Sequence, residues 1–236
     1  PPCAVLLWKL LAEGGAMTAD VAGRRLVIFD FDGTLANTVP AIVSTARTVL
    51  ARHGLTDEAM GDLTRLVGPP FPQAYSLVYG FSEEEAAQIT AEYRAIYRGI
   101  GPEAWPLFDG VAALLRRLRS AGRLTAVASS KQMAMVERAL ADNGITELFD
   151  VALGKSSDAE GDKVSLIRRA MDDLGVGPAE AVMVGDRHHD VEAAAACGVP
   201  CVGVTYGGTG TVAELMGAGA CACADTVEEL GRVLLG

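Results

Sequence analysis

Cysteine is scarce in this chain and unpaired in pattern: Cys3, Cys197, Cys201, Cys221 and Cys223 are the only five, and no C-x-x-C occurs among them. An odd count without a secretory leader is the expectation for free thiols in a reducing cytosol, hence a cytoplasmic protein. Cys221 and Cys223 alternate with alanine, the pattern of one face of a buried strand. Runs of lysine and arginine are also lacking, and the net charge is −10. Such a surface repels a phosphate backbone, so a nucleic-acid partner is excluded, while a small phosphorylated molecule can still bind where a pocket supplies cations. Apolar runs of membrane-spanning length are missing too; Val5 to Leu11 is too short, so no membrane partner is expected. Residues 1–16 read as an N-terminal extension outside the fold, with Met17 a more natural start. What is abundant is apolar sequence, at 50% of residues with 21% charged, enough for a sizeable core in a chain of 236.

Four apolar runs read as buried strands: Arg25 to Phe29, Leu124 to Ala128, Ala181 to Val184 and Pro200 to Val204, with weaker candidates at Val151 to Leu153 and Ala220 to Ala224. Between them lie amphipathic helical patterns over Val111 to Ser120, Met133 to Asn143, Lys163 to Leu174 and Asp190 to Cys197. Gly122, Gly144, Gly175 and Gly198 follow these as stop signals. Strands alternating with such helices predict right-handed crossovers and an open parallel α/β sheet. The alternation is interrupted from about Val39 to Trp105, where Ile42 to His53, Asp57 to Leu66, Pro72 to Tyr79 and Ser82 to Tyr97 all read as helix. The expected organisation is a core of residues 17–38 and 106–236 with an all-helical cap inserted at 39–105.

Asp30-Phe31-Asp32-Gly33-Thr34 closes the first strand, where open α/β sheets bind ligands. Strand alternation points Asp30 and Asp32 the same way and turns Phe31 aside. Two carboxylates this close repel unless they share a proton or a cation, and oxygen ligands suit Mg²⁺. Three further stations end later strands. Ser129 offers a hydroxyl for a phosphate oxygen or, equally, a helix N-cap. Lys163 follows the polar stretch Gly154 to Asp162 and is placed either to neutralise phosphate or as a solvated surface charge. In Gly185-Asp186-Arg187-His188-His189-Asp190, Asp186 is a metal ligand or a helix cap, and Asp190 can orient water or Lys163.

In that order, D-F-D-G-T, strand-Ser, Lys and G-D-x-x-x-D resemble the four motifs of the haloacid dehalogenase superfamily, and the helical insertion resembles its C1-type cap. Val67-Gly68-Pro69-Pro70, Phe108-Asp109-Gly110-Val111 and Thr205-Tyr206-Gly207-Gly208 are similar to the phosphoglycolate phosphatase-like branch. The resemblance implies a Rossmann-like core and a phosphatase in which Asp30 is the nucleophile that forms an aspartyl-phosphate and Asp32 is the acid and then base. It implies Mg²⁺ held by Asp30, Asp32 (through its backbone carbonyl) and Asp186, with Asp190 behind. Ser129, Ser130 and Lys163 would hold the phosphoryl oxygens, and Gly33 and Thr34 would form a flap with Asn37, which stands where many relatives carry Asp.

The second aspartate of D-x-D sets the chain apart from the dehalogenases. No lysine lies between Lys9 and Lys131, so the cap lacks the Schiff-base lysine of phosphonatases. The expected partner is a small phosphorylated metabolite such as 2-phosphoglycolate, and the expected state a monomer or homodimer. A mutase of the β-phosphoglucomutase type, a nucleotide or phosphotyrosine phosphatase, and a silent regulatory module stay as alternatives. Arg65, Arg94 and Arg98 are candidates for a second substrate anion or surface charges; Tyr75, Tyr79, Tyr93 and Tyr97 read as cap packing. Arg187 divides evenly between structural and functional roles, and His188 and His189, near the pocket mouth, read as helix-start residues or as groups that tune substrate or metal.

Overall fold

The computed structural model of the protein describes residues 21–157 and 162–236. The N-terminal extension, Cys3 and residues 158–161 of the polar stretch before Lys163 lie outside these residues. Six strands form one parallel sheet: β1 (Leu26–Phe29), β2 (Leu124–Gln132), β3 (Val151–Lys155), β4 (Ala181–Gly185), β5 (Cys201–Val204) and β6 (Ala222–Ala224). Their order is β3-β2-β1-β4-β5-β6, so the doubly wound α/β fold expected from the sequence is the fold observed.

Every residue of β1, β4 and β5 is buried, because helices cover both faces. The pleat sends Leu26 and Ile28 to one face, against Leu166, Ile167 and Met171 of α7 (Lys163–Leu174) and Val191 of α8 (His188–Ala196). Val27 and Phe29 face the opposite layer, with Leu114 and Leu115 of α5 (Val111–Ser120) and Val136 of α6 (Met133–Asp142). Gly122, Gly144, Gly175 and Gly198 all have positive φ, as stop signals require. Two further helices, α9 (Val212–Gly217) and α10 (Val227–Leu235), complete the two layers. The Cys221 and Cys223 reading needs correction: both are half-buried, and it is Ala220, Ala222 and Ala224 that are buried. The cause is position, since β6 is an edge strand.

Between β1 and α5 the chain forms α1 (Val39–Arg52), α2 (Asp57–Met60), a 3-10 turn at Leu63–Leu66, α3 (Gln73–Tyr79) and α4 (Glu83–Gly99). The single helix expected over Asp57 to Leu66 is split at Gly61, and the Asp62 side chain then caps the 3-10 turn by accepting from Thr64 N at 2.9 Å. Helix α4 begins with a reciprocal capping box between Ser82 and Glu85. The chain leaves for this helical segment and returns from it side by side. Asn37 N donates to Pro106 O at 2.8 Å, and Phe108 N to Leu35 O at 3.1 Å.

From β1 the chain steps outward to β2 and β3, then crosses back to β4 on the other side of β1. The loops after β1 and β4 therefore diverge, and a crevice opens above their carboxyl ends.

Candidate active site

Asp30 stands one residue beyond β1, where its backbone N–H still donates to Val184 O at 2.9 Å, so its carboxylate enters the crevice. Phe31 is fully buried in the core, while Asp30 and Asp32 line one cavity, as strand alternation requires. A tight turn follows in which Leu35 N and Ala36 N both donate to Phe31 O, at 3.0 and 3.1 Å. Gly33 has φ +77°, and a Cβ there would lie 2.2 Å from Asp186 Oδ2. Only glycine lets this turn approach the β4 end so closely.

The oxygens of Asp30, Asp186 and Asp190 lie within 4.8 Å of one another, and all three residues are buried. Burial pushes Asp30 up to about 6, against the pull of Lys163 and with help from Asp190 and Asp32. Burial, then the charges of Asp190 and Asp30, push Asp186 up to about 8. Lys163 Nζ sits 3.0 Å from Asp30 Oδ1 and closer still to Asp190 Oδ1. Burial alone would weaken its hold on the proton, but the two carboxylates reverse that and keep it charged. Asp186 also accepts from the Thr34 hydroxyl at 3.3 Å and from the Thr209 hydroxyl. One ammonium therefore faces three crowded carboxylates, and Asp30 Oδ1, despite its ion pair, has no hydrogen-bond partner. That donor set, all hard oxygen and short of positive charge, fits a divalent cation.

The crowding has a thermodynamic sign. Asp30 and Asp186 bind protons more tightly folded than unfolded, so between about pH 4 and pH 8 the unfolded chain releases protons first and metal-free stability falls as pH rises. A bound divalent cation offsets this. The gap between melting temperatures in excess Mg²⁺ and in EDTA should therefore be wider at pH 8 than at pH 5.5, by on the order of 5 °C. An equal gap at both values would mean that these carboxylates do not hold the cation.

The cavity at Asp30 measures about 100 Å³. Ser129, Ser130, Lys131 and Lys155 line it from the core, and Phe71, Tyr93 and Tyr97 face them from the helical segment. Ser129 is buried, its hydroxyl accepting weakly from Lys131 N at 3.4 Å. Asp32 does not join the metal trio through its carboxylate. Its two oxygens accept from Lys131 Nζ at 2.9 and 3.2 Å, and the same ammonium reaches the Tyr97 hydroxyl at 3.2 Å and stands 4.8 Å over that ring. Burial opposes charge on Lys131, but Asp32 and Tyr97 outweigh it. A second cavity of about 410 Å³ shares Gly68, Pro69, Pro70, Ser130 and Lys155 with the first and adds Lys163 and His189. Lys163 thus reaches Asp30 from the far side of the first cavity's wall.

Lys131, Thr209, Lys155 and the phenol of Tyr97 were not singled out from the sequence. Lys131 had a signal, standing two residues after Ser129 in a strand-end motif; Tyr97 reads as packing, and does pack on Tyr93 and Trp105. Arg187 proves to be a tie: its guanidinium donates to Val67 O at 2.7 Å and to Glu214 Oε1 at 3.2 Å, fixing the 67–70 loop against α8 and α9. His188 Nδ1 meets the same Glu214 oxygen at 2.7 Å. Arg65 and Arg98 bond to Asp62 O and Gln132 and take no place in the cavity lining, whereas Arg94 lines it.

Comparison with known proteins adds an independent line. The family model described as haloacid dehalogenase-like hydrolase matches residues 27–204. The tyrosine-protein kinase PtkA of Mycobacterium tuberculosis is 42% identical over 186 residues, covering 78% of this chain and 62% of that protein. The chain thus spans somewhat less than two thirds of PtkA's length. A 5'-nucleotidase of Pseudomonas aeruginosa is 32% identical over 182 residues, covering 77% of this chain and 82% of that protein. Among solved structures, a predicted phosphatase from Clostridium acetobutylicum superposes with a TM-score of 0.83 at 33% identity, over 89% of this chain and 97% of that one. The resemblance read from the four motifs is borne out, and the chain belongs to the haloacid dehalogenase-like hydrolase family.

Proposed function

We propose that the protein is a phosphomonoesterase acting on a small phosphorylated metabolite through an aspartyl-phosphate on Asp30. The observation that carries this reading is the buried trio Asp30, Asp186 and Asp190 paired with Lys163 at the end of β1, beside a cavity of about 100 Å³. A carboxylate oxygen of Asp30 attacks phosphorus in line and the ester P–O bond breaks. The departing alkoxide takes a proton from Asp32. Water then attacks the phosphorus of the acyl phosphate, Asp32 takes the water's proton, and inorganic phosphate leaves with Asp30 restored. Both oxygens of Asp32 accept from Lys131 in the resting geometry, so delivery of its proton requires that contact to open. Ser129 and Ser130 hydroxyls and the Lys163 ammonium face the phosphoryl oxygens, where fixed charge counts most.

Asp30 and Asp186, with the backbone carbonyl of Asp32, would hold Mg²⁺, and Asp190 would hold Lys163 in place. The ion supplies Lewis-acid neutralisation of phosphate charge when bound. Residues 39–105 would act as a cap whose Phe71, Tyr93 and Tyr97 exclude water from the cavity, hinged where the two crossing segments meet at Asn37 and Pro106. The 5'-nucleotidase and phosphatase names among similar proteins support the reading.

Phosphate release from a panel of 2-phosphoglycolate, sugar phosphates, nucleotides and phosphotyrosine tests it. Release should require Mg²⁺ and fall by at least 100-fold in EDTA, roughly the worth of several kcal/mol of charge stabilisation. Release unaffected by EDTA would overturn the metal assignment. The identity with PtkA favours a second reading, in which the phosphoryl group on Asp30 passes to a phenolic hydroxyl instead of water. Appearance of phosphotyrosine on an acceptor protein, with no free phosphate, would select it.

A further inference from the structure

Lys155 ends β3 and is only 9% exposed, yet its side chain makes no ion pair or hydrogen bond among the described residues. Buried lysines are otherwise paired here. Lys131 has Asp32 and Tyr97, and Lys163 has Asp30 and Asp190. A lysine so enclosed, with no counter-charge among the described residues, favours an anion beside it where it opens into a cavity. Lys155 is also placed to meet one. It lines both the cavity that holds Asp30 and the larger cavity beside it, standing with Ser130 and the Gly68-Pro69-Pro70 loop where the two adjoin. The phosphoryl group has its own partners at Asp30, so a charge at Lys155 serves a different part of the ligand.

We propose that Lys155 is the receptor for a second anionic group, a carboxylate or a further phosphoryl, on the substrate of this enzyme. The inference rests on the phosphatase reading for its first anion and adds the specificity determinant. The main chain supports the geometry. Lys155 pairs in register with Gln132, and a Cβ on the preceding Gly154 would come within 2.8 Å of Lys131 O, so the β3 end is pressed against the strand that carries Ser129, Ser130 and Lys131. Rigid elements hold such receptors better than loops. A substrate bearing one anion leaves Lys155 without a counter-charge among the described residues, and a substrate bearing two supplies one.

The test compares kcat/KM for p-nitrophenyl phosphate, 2-phosphoglycolate and glucose 1,6-bisphosphate in wild type, Lys155→Met and Lys155→Arg. The methionine variant should lose at least tenfold more on one of the two doubly anionic compounds than on p-nitrophenyl phosphate, chiefly through KM, and arginine should restore most of it. Loss on 2-phosphoglycolate identifies a carboxylate, and loss on the bisphosphate a second phosphoryl. An equal loss on all three, or none on either doubly anionic compound, overturns the proposal. Binding of the same two compounds to Asp30→Asn and to Asp30→Asn/Lys155→Met, by calorimetry, separates this result from the phosphatase reading. A tenfold affinity difference without turnover in wild type would sink hydrolysis and keep the receptor. Turnover without that difference would do the reverse.

Discussion

Asp30→Asn is expected to lower Mg²⁺-dependent phosphate release by about 10⁴-fold, equivalent to roughly 5.5 kcal/mol of lost transition-state stabilisation. The amide keeps the size and most of the shape of the carboxylate, so Asp30's place at the end of β1 is preserved, but the amide oxygen is a poor nucleophile for phosphorus. The side chain is buried and its environment already disfavours charge, raising it to about 6. Removing that charge from a cluster with Asp186 and Asp190 should leave the metal-free protein at least as stable as wild type near pH 8, where all three would otherwise compete for one ammonium. The two readouts together are diagnostic: lost turnover with retained or raised melting temperature marks a chemical role. Turnover within tenfold of wild type would rule out a covalent intermediate on Asp30.

Much of this site is legible in the sequence, because its chemistry directly follows the apolar runs of the strands. Asp30, Ser129 and Asp186 each follow a run of apolar residues, and parallel strands covered on both faces announce themselves by such runs. The run Arg25 to Phe29 accordingly matches β1 to within one residue. The parts that escaped are those in which the sequence carries a different or weaker signal. Helices α9 and α10 are short, yet Thr211 and Thr226 accept from the backbone of Glu214 and Glu229 three residues on, a capping pattern that was available to reading. Lys131 and Lys155 could not be ranked, since a lysine near a strand end is ordinarily solvated, and it is their burial in the fold that marks them. Tyr97 serves twice: its ring packs and its hydroxyl reaches Lys131, and periodicity reports the ring alone. The role of Arg187 depends on a contact across 120 residues of sequence, to Val67, which no local pattern encodes.

Lys163→Met should produce the largest loss of stability of any single change at this site. Its side chain is 11% exposed, and its ammonium lies between Asp30 and Asp190 as the one cation in contact with the carboxylate trio among the described residues. Methionine fills comparable volume along the same α7 turn, so packing is nearly kept while the charge vanishes. Removing one partner of a buried ion pair costs about 3–5 kcal/mol, because the other charges stay behind uncompensated. In EDTA at pH 8 that corresponds to a fall in melting temperature on the order of 10 °C for a chain of this size. The defect should shrink toward pH 5.5, since Asp30 and Asp186 take up protons there and the repulsion is relieved. Phosphate release should fall by about 10³-fold even at saturating Mg²⁺, as one preorganised charge on the phosphoryl oxygens is gone. Lys163→Arg should not restore it, because a planar fork does not replace a point charge wedged between two carboxylates. Adding Asp190→Asn to Lys163→Met should recover part of the stability and none of the turnover. Recovery of both would reduce Lys163 to a charge balance for Asp190, and recovery of neither would mean that the two side chains do not act as a pair.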